Sequence, residues 1–476
     1  MMLAPPVSPS AAELQALYDA QRRRYRAEPN PGFAVRRTKL DALAAAIGRR
    51  RRDVLAALKA DLGKAPEEAE FSELIPTLHE LRCARRNLRA WMRPERVPTP
   101  RKLLGASSEI VREPKGVVLV LAPWNYPFYL MLVPLVGALA AGNRAILRPS
   151  EKAPHTAAVL AAIVREAFAP EDVALVEGEV DTAERLLQLP FDHIFFTGST
   201  KVGKIVMRAA AEHLASVTLE LGGKSPALVC ADADLELAAA RIAWGKFLNA
   251  GQTCVAPDYV LVPELQAKPV AAALVAAVEK MYGKTEDERA RSGDFGRIVD
   301  AAAFDRLEKL LDRTVAGGAR MLIGGRRDRT RRYLAPTILT DVTFDSPIMS
   351  EEIFGPILPV LTYRSLDDAL AHINLRPKPL ALYAFGSKEV TAEIVRRTSA
   401  GGTAINDVVV QLVNENLPFG GIGESGTGNY HGVFGFRTFS HERAVLRQGK
   451  RNALPLLYPP YGTATRAMLK LLDRFL

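Results

Sequence analysis

Two kinds of apolar spacing divide the chain. From about Ala11 to Met92, hydrophobic positions recur every three or four residues, as in Leu40, Leu43 and Ile47 and then Val54, Leu55 and Leu58, which predicts amphipathic helices. Pro29 and Pro31 interrupt this pattern, and Pro76 is expected to interrupt it again. Pro94, Pro98 and Pro100 end the helical region. Ser108 to Arg112 (SEIVR) then alternates polar and apolar side chains as a partly exposed strand does, and reads as part of an extended arm.

Beyond the arm, short continuous apolar runs take over. Val117 to Leu121 has the composition of a buried parallel strand and stops before Pro123. Strands at Ala145 to Leu147, Val173 to Glu177 and His193 to Phe196, with a helix from His155 to Phe168, imply βαβ units. A second series begins near Ala227: strand Ala227 to Val229, helix Glu236 to Phe247, strand Tyr259 to Val262 and helix Lys268 to Tyr282. It continues with helix Phe304 to Val315, strand Met321 to Ile323 and strands near Ile338 and from Leu358 to Leu361. The expected fold class is therefore α/β, with two parallel-sheet domains, each sheet covered by helices. No internal repeat or low-complexity tract appears.

Length and composition agree with this picture, since 476 residues suit two or three domains. Cys83, Cys230 and Cys254 lie far apart without a CxxC pair, so neither a disulfide framework nor a thiolate metal site is expected, and the setting is read as reducing and cytoplasmic. The N-terminal residues lack the pattern of a signal peptide, and no run reaches the roughly 18 to 20 apolar residues of a membrane span. The net charge of +10 raises the question of nucleic acid. Its arginine runs, however, sit on helical segments (Arg22 to Arg24, Arg49 to Arg52) or in a turn region (RRDRTRR from Arg326, between Gly325 and Tyr333), with no zinc-finger, RNP-like or basic-zipper pattern, so no nucleic-acid partner is expected.

The chemistry concentrates at Phe247 to Tyr259, FLNAGQTCVAPDY, which sets Cys254 among small, turn-forming and amide-bearing neighbours. A thiolate there would attack carbonyl carbon and leave again, although an inert buried cysteine has the same local appearance. After His193 to Phe196 comes TGSTKVG and a helical stretch from Lys204 to His213, so Gly198 and Gly203 would open a turn whose amides approach a phosphate; an ordinary strand-to-helix turn would look alike. Gly421, Gly423 and Gly426 do match GxGxxG. With no buried strand before them and no plausible helix after them, they read as a glycine-rich loop.

The segments PWNYP (Pro123 to Pro127), RPSE (Arg148 to Glu151), FTGSTKVG, LELGGKSP (Leu219 to Pro226), GQTCVAPDY, EEIFGP (Glu351 to Pro356) and LPFGGIGESG occur in an order that resembles the aldehyde dehydrogenase superfamily over nearly the whole chain. RIAWGKFLNAGQTCVAPDYVL, KPLALYAFGS and GNYHGVFGFRTFSH are most similar to its class 3 branch, which includes fatty and aromatic aldehyde dehydrogenases and, nearby, bacterial coniferyl aldehyde dehydrogenases. The resemblance implies NAD(P)-dependent oxidation of an apolar aldehyde to the carboxylic acid. Cys254 takes the nucleophile position, the Asn125 side chain and the Cys254 amide the oxyanion hole, and Glu220 the general base that releases the thioester. Its place between Leu219 and Leu221 would raise its pKa.

For the cofactor, the resemblance implies Trp124, Gly198, Ser199 and Gly203 on the pyrophosphate side, Glu352 and Phe354 at the nicotinamide and its ribose, and Arg148 and Glu151 near the adenosine ribose. Arg148 departs from the lysine usual there, so NAD is expected with NADP possible. Trp244 resembles a channel wall, and Tyr126, Phe128 and Leu248 would add apolar lining, although each of these would look the same as plain core. No metal is expected.

By the same resemblance, residues 1–96 and 115–220 form the cofactor domain and 221–398 the catalytic domain. Segments 97–114 and 399–440 form the bridging part, with the Ser108 to Arg112 arm and a strand Gly402 to Asn406 in one bridging sheet of a homodimer. The tail, 441–476, ends in an amphipathic stretch (Met468, Leu469, Leu472, Phe475 and Leu476) that packs on the body or touches a membrane surface, being too short to span. The competing functions are a dehydrogenase specific for coniferyl aldehyde, a coenzyme A-acylating relative, which would tend to lack Glu220, a binding protein on the same fold, and a cysteine hydrolase with a histidine partner.

Overall fold

The computed structural model describes residues 8–100, 103, 105–450, 452 and 454–473. The helical N-terminal region begins at Ala11–Ala27, whose cap Ser10 and third residue Glu13 satisfy each other's backbone amides in a capping box. Phe33–Arg49 and Arg51–Leu62 follow, the latter stopped by Gly63 in the left-handed region (φ 66°). Pro76 does not break the chain as expected. It occupies the first turn of Ile75–Trp91, where no backbone donor is required, and a five-residue π turn, Glu70–Leu74, joins that helix to the preceding one.

Six strands form the first sheet, in the order Gly426–Thr427, Ser216–Glu220, His193–Thr197, Val117–Leu121, Arg144–Arg148 and Val173–Leu175. All neighbours are parallel except the short Gly426–Thr427 strand. One face packs on Phe33–Arg49, Ile75–Trp91 and Tyr129–Ala141. The other packs on Ala11–Ala27 and Thr200–Ala211. Tyr129–Ala141 was not apparent from periodicity because every residue from Leu130 to Ala141 is buried, leaving no polar face to set a period.

The second sheet has seven strands: Arg320–Ile323, Thr337–Thr340, Ile357–Tyr363, Tyr259–Pro263, Pro226–Val229, Ala381–Phe385 and Gly402–Ile405. Within one chain Gly402–Ile405 runs parallel to Ala381–Phe385 as the edge of this sheet and does not pair with the arm; the expected bridging sheet is one between subunits. The arm, Ala106–Pro114, pairs instead with Glu95–Val97 and with Ser440–Gln448, antiparallel over nine residues. Ser440–Gln448 (SHERAVLRQ) is almost wholly exposed, so it carries no apolar alternation. Cross-strand pairs such as Arg112–Glu442 (2.9 Å) and Arg447–Glu109 (2.8 Å) accompany the ladder.

The arginine runs are neutralised locally. Arg22 pairs with Asp192 at 2.8 Å, Arg49 and Arg50 with Glu166, Arg327 with Glu308 and Asp312, and Arg329 with Asp305. Thr463–Asp473 is helical and packs on the Leu454–Leu457 turn, while Phe475 and Leu476 lie outside the described residues. Among the described residues no helix is long and apolar enough to cross a membrane.

Candidate active site

Helix Leu235–Phe247 ends at a turn, Leu248–Gly251, in which Asn249 and Ala250 both adopt left-handed backbone angles (φ 52°). This reversal carries the chain through Gln252 and Thr253 to Cys254 and back into the Tyr259–Pro263 strand, with the Ala256 amide closing on the Thr253 carbonyl at 2.9 Å. Cys254 is half-buried on the wall of an apolar cavity. Burial raises its thiol pKa, and the Glu352 and Glu220 carboxylates raise it further. The amides of Cys254 and Val255 act in the opposite direction.

Asn125 is buried in the loop after the Val117–Leu121 strand, at its carboxyl end. Its Nδ2 donates to the Gln252 carbonyl (3.0 Å), and its own carbonyl accepts from Asn249 Nδ2 (2.7 Å) and Lys64 Nζ (3.1 Å). The two predicted oxyanion donors therefore stand on loops tied together directly. Tyr126 adds a second tie, its hydroxyl 2.7 Å from Thr253 Oγ1.

Glu220 ends the Ser216–Glu220 strand, opposite Thr197 on one side and Gly426 on the other. It is 2% exposed, and neither carboxylate oxygen has a hydrogen-bond partner among the described residues. Burial drives its pKa well above the ordinary carboxylate range, in the direction expected from its apolar neighbours.

The residues assigned to a dinucleotide fall at the carboxyl ends of the first sheet and on the facing wall. Gly198 follows the His193–Thr197 strand, Ser199 caps Thr200–Ala211, and Gly203 lies in the first turn. Side chains at the two glycines would strike Phe196 (2.4 Å) and Leu221 (2.8 Å), so the helix start can approach the strand this closely only without them. The Glu352 carboxylate lies where a Cβ on Gly222 would be and is pushed up to about 8, mainly by burial and next by Asp258, with the Gly223 amide acting in the opposite direction. Thr200, Gly222, Gly223 and Glu352 line one cleft. Trp124 meets Phe354 edge-on at 5.4 Å, and Arg148 pairs with Glu151 at 2.8 Å.

The cavity beside Cys254 is lined by Tyr126, Trp244 and Leu248. Phe128 takes the other alternative: it is fully buried in the core under the first sheet and does not line this cavity. The mouth carries Phe71, stacked on Trp244 with ring centroids 6.4 Å apart. His431 also lines the cavity, but its Nε2 meets the Tyr129 hydroxyl at 3.0 Å, and no histidine hydrogen-bonds Cys254 among the described residues. Nor do any three His, Cys, Asp or Glu side chains there form a metal-holding group.

The sequence profile described as the aldehyde dehydrogenase family matches residues 8–445. The chain belongs to the aldehyde dehydrogenase family. It is 44% identical over 448 residues to the 4,4'-diaponeurosporen-aldehyde dehydrogenase of Staphylococcus aureus, covering 94% of this chain and 96% of that protein. It is 41% identical over 459 residues to a probable coniferyl aldehyde dehydrogenase of Pseudomonas aeruginosa, covering 96% and 95% of the two chains. Its structure matches one described as the substrate-bound state of Staphylococcus aureus AldH, with TM-score 0.92, 42% identity and coverage of 96% and 99%. It also matches an NAD+ complex of a Bacillus cereus aldehyde dehydrogenase, with TM-score 0.84, 28% identity and coverage of 93% and 90%.

In this aldehyde dehydrogenase, sequence reasoning missed the residues that hold the loops from behind. Lys64 and Glu73 form a fully buried ion pair; Glu73 also accepts from the Phe128 (2.9 Å) and Tyr129 (3.2 Å) amides, and Lys64 lies 3.9 Å from the Tyr126 ring centroid. Glu68 accepts from the Asn249 amide at 3.0 Å, and Gln252 bridges the Asn249 and Arg297 carbonyls and the Val299 amide. The available signal was a lysine and two glutamates at Lys64, Glu68 and Glu73, but charge in a helical segment reads first as solvated surface.

Proposed function

We propose that the protein oxidises an apolar aldehyde, aliphatic or aromatic, to its carboxylic acid with NAD as oxidant, NADP also being accepted. The observation that carries this reading is the thiol of Cys254 on an almost wholly apolar cavity, with Asn125 tied to the same loop. Cys254 thiolate adds to the aldehyde carbonyl, and the resulting oxyanion is held by the Cys254 amide and by the Asn125 hydrogen not given to Gln252. Such donors are worth about 3 kcal/mol each in other enzymes. When bound, the nicotinamide supplies the two-electron acceptor. The cleft at Thr200, Gly222 and Glu352, with Gly198, Ser199 and Gly203 at the helix start, would hold its ribose and pyrophosphate side, Trp124 and Phe354 would flank the ring, and Arg148 and Glu151 would face the adenosine ribose.

Glu220 then takes a proton from water as it adds to the thioester carbon, and Cys254 departs as thiolate, releasing the acid. The presence of this carboxylate favours water over coenzyme A as acyl acceptor. The aromatic side chains of Phe71, Trp244 and Phe419 along the cavity suit a coniferyl-type ring as well as an alkyl chain. We take the first-sheet body as the cofactor domain and the seven-stranded body as the catalytic domain. The protein is read as a homodimer paired through the exposed edge at Gly402–Ile405, where Ile405 is 42% exposed. Its three free cysteines suit a cytoplasmic setting.

The test is NADH formation from hexanal, decanal, benzaldehyde and coniferyl aldehyde without coenzyme A, beside Cys254→Ala. Loss of turnover in the variant is expected, with each buried methylene improving selectivity by about 0.8 kcal/mol, roughly fourfold, if the substrate is aliphatic. NADH only in the presence of coenzyme A would remove Glu220 from its role.

A further inference from the structure

Strand register places three side chains on one face of the first sheet. Phe195 lies opposite Thr218 and Thr197 opposite Glu220, so Phe195, Thr197 and Glu220 all point toward the Tyr129–Ala141 helix. Tyr430 packs on that face, its ring edge-on to Phe195 at 5.0 Å. Its backbone is fixed by reciprocal bonds with Phe419 (2.8 and 3.3 Å), and the chain reaches it four residues after Gly426, the cross-strand neighbour of Glu220.

Four polar atoms there are buried without a hydrogen-bond partner among the described residues: both Glu220 carboxylate oxygens, Thr197 Oγ1 and the Tyr430 hydroxyl. Buried polar atoms are rarely left so, because each unmet group costs free energy, and a cluster of them is the usual surrounding of a held water. Tyr430 also lines the cavity that contains Cys254. Resting on the role proposed for Glu220, we infer that Tyr430 is a further catalytic residue, whose hydroxyl and the Glu220 carboxylate together hold the water that hydrolyses the thioester. The phenol donates to the water oxygen and one water hydrogen points to Glu220. The remaining lone pair then forms the new C–O bond, the proton passes to Glu220, and the C–S bond breaks with its electron pair going to Cys254. Nothing is oxidised or reduced in this step. Burial, with Tyr129, Glu220 and Cys254 nearby, drives the phenol pKa well above its ordinary value, so the hydroxyl stays a donor.

The test is rapid-mixing kinetics of Tyr430→Phe and Glu220→Gln with NAD and either benzaldehyde or decanal. Tyr430→Phe removes only an unpaired hydroxyl, so its thermal midpoint should not fall. Its first turnover should keep the wild-type rate and give a burst near one NADH per active site, followed by a steady state slower by about tenfold or more. Glu220→Gln should give the same burst and then stall. An unchanged steady state without a burst in Tyr430→Phe, or slowing of the burst itself, would overturn the role of Tyr430 while leaving that of Glu220 intact. Full steady-state turnover in Glu220→Gln would overturn the hydrolytic reading on which the inference rests.

Discussion

Arg148 and Glu151 hold each other. Arg148 Nη2 donates to the Glu151 carboxylate at 2.8 Å and to the Gly178 carbonyl at 3.1 Å, so the guanidinium that replaces the expected lysine already has its counter-ion. Its buried Nε has no partner among the described residues. A 2′-phosphate would meet the Glu151 carboxylate as well as the arginine.

Glu151→Gln should therefore shift cofactor choice. Removing the negative charge leaves the guanidinium to pair with phosphate, and the ratio of kcat/KM for NADP to that for NAD should rise by about tenfold, equivalent to about 1.4 kcal/mol. Steady-state kinetics with both cofactors checks this.

The thiol environment predicts a pH-dependent reactivity. Cys254 is held above its ordinary pKa, so alkylation by iodoacetamide should be slow at neutral pH and accelerate as pH rises. Glu352 contributes to that shift only when ionised, which occurs above about 8. Glu352→Gln should thus alkylate faster than wild type above that pH and like it below. Equal rates throughout would remove Glu352 from the electrostatics of the thiol.

Breaking the buried pair behind Asn125 should be costly. Lys64→Met leaves Glu73 in the core without its counter-ion, an effect of about 3–5 kcal/mol. Lys64→Met combined with Glu73→Gln should recover part of the loss, because the amide oxygen of glutamine still accepts from Phe128 and Tyr129. Urea unfolding of the two variants measures both.

Two buried carboxylates set a stability trend. Burial pushes Glu68 and Glu80 up to about 7, so from about pH 4.5 to 7 the folded protein binds more protons than the unfolded chain and loses stability as pH rises, by at most about 1.4 kcal/mol per pH unit for each group. His431 works in the opposite direction. Its pKa is lowered to about 3, so its share of stability, present above 6.5, is lost as pH falls toward 3. Glu80→Gln should lessen the fall of Tm between about pH 4.5 and 7 and leave the dependence below pH 4.5 unchanged.

The sequence by itself determined the elements marked by a short apolar run or a helical apolar period. Val117–Leu121 and His193–Thr197, buried along their whole length, and the helix Leu235–Phe247 lie within a residue or so of where their patterns placed them, because burial writes itself into residue choice. It also determined the ordered segments around Asn125, Glu220 and Cys254. Tertiary structure decided what periodicity and motif cannot encode. Ser440–Gln448 pairs with the arm through backbone ladders and surface charge, without an apolar face to announce it. Gly402–Ile405 went to the other sheet because Ala381–Phe385 offered its edge. Lys64, Glu73 and Tyr430 reach the site through contacts that cross 50 residues or more of chain. Charge and hydroxyl groups have no period of their own, so only the packed fold shows whether water or another side chain meets them.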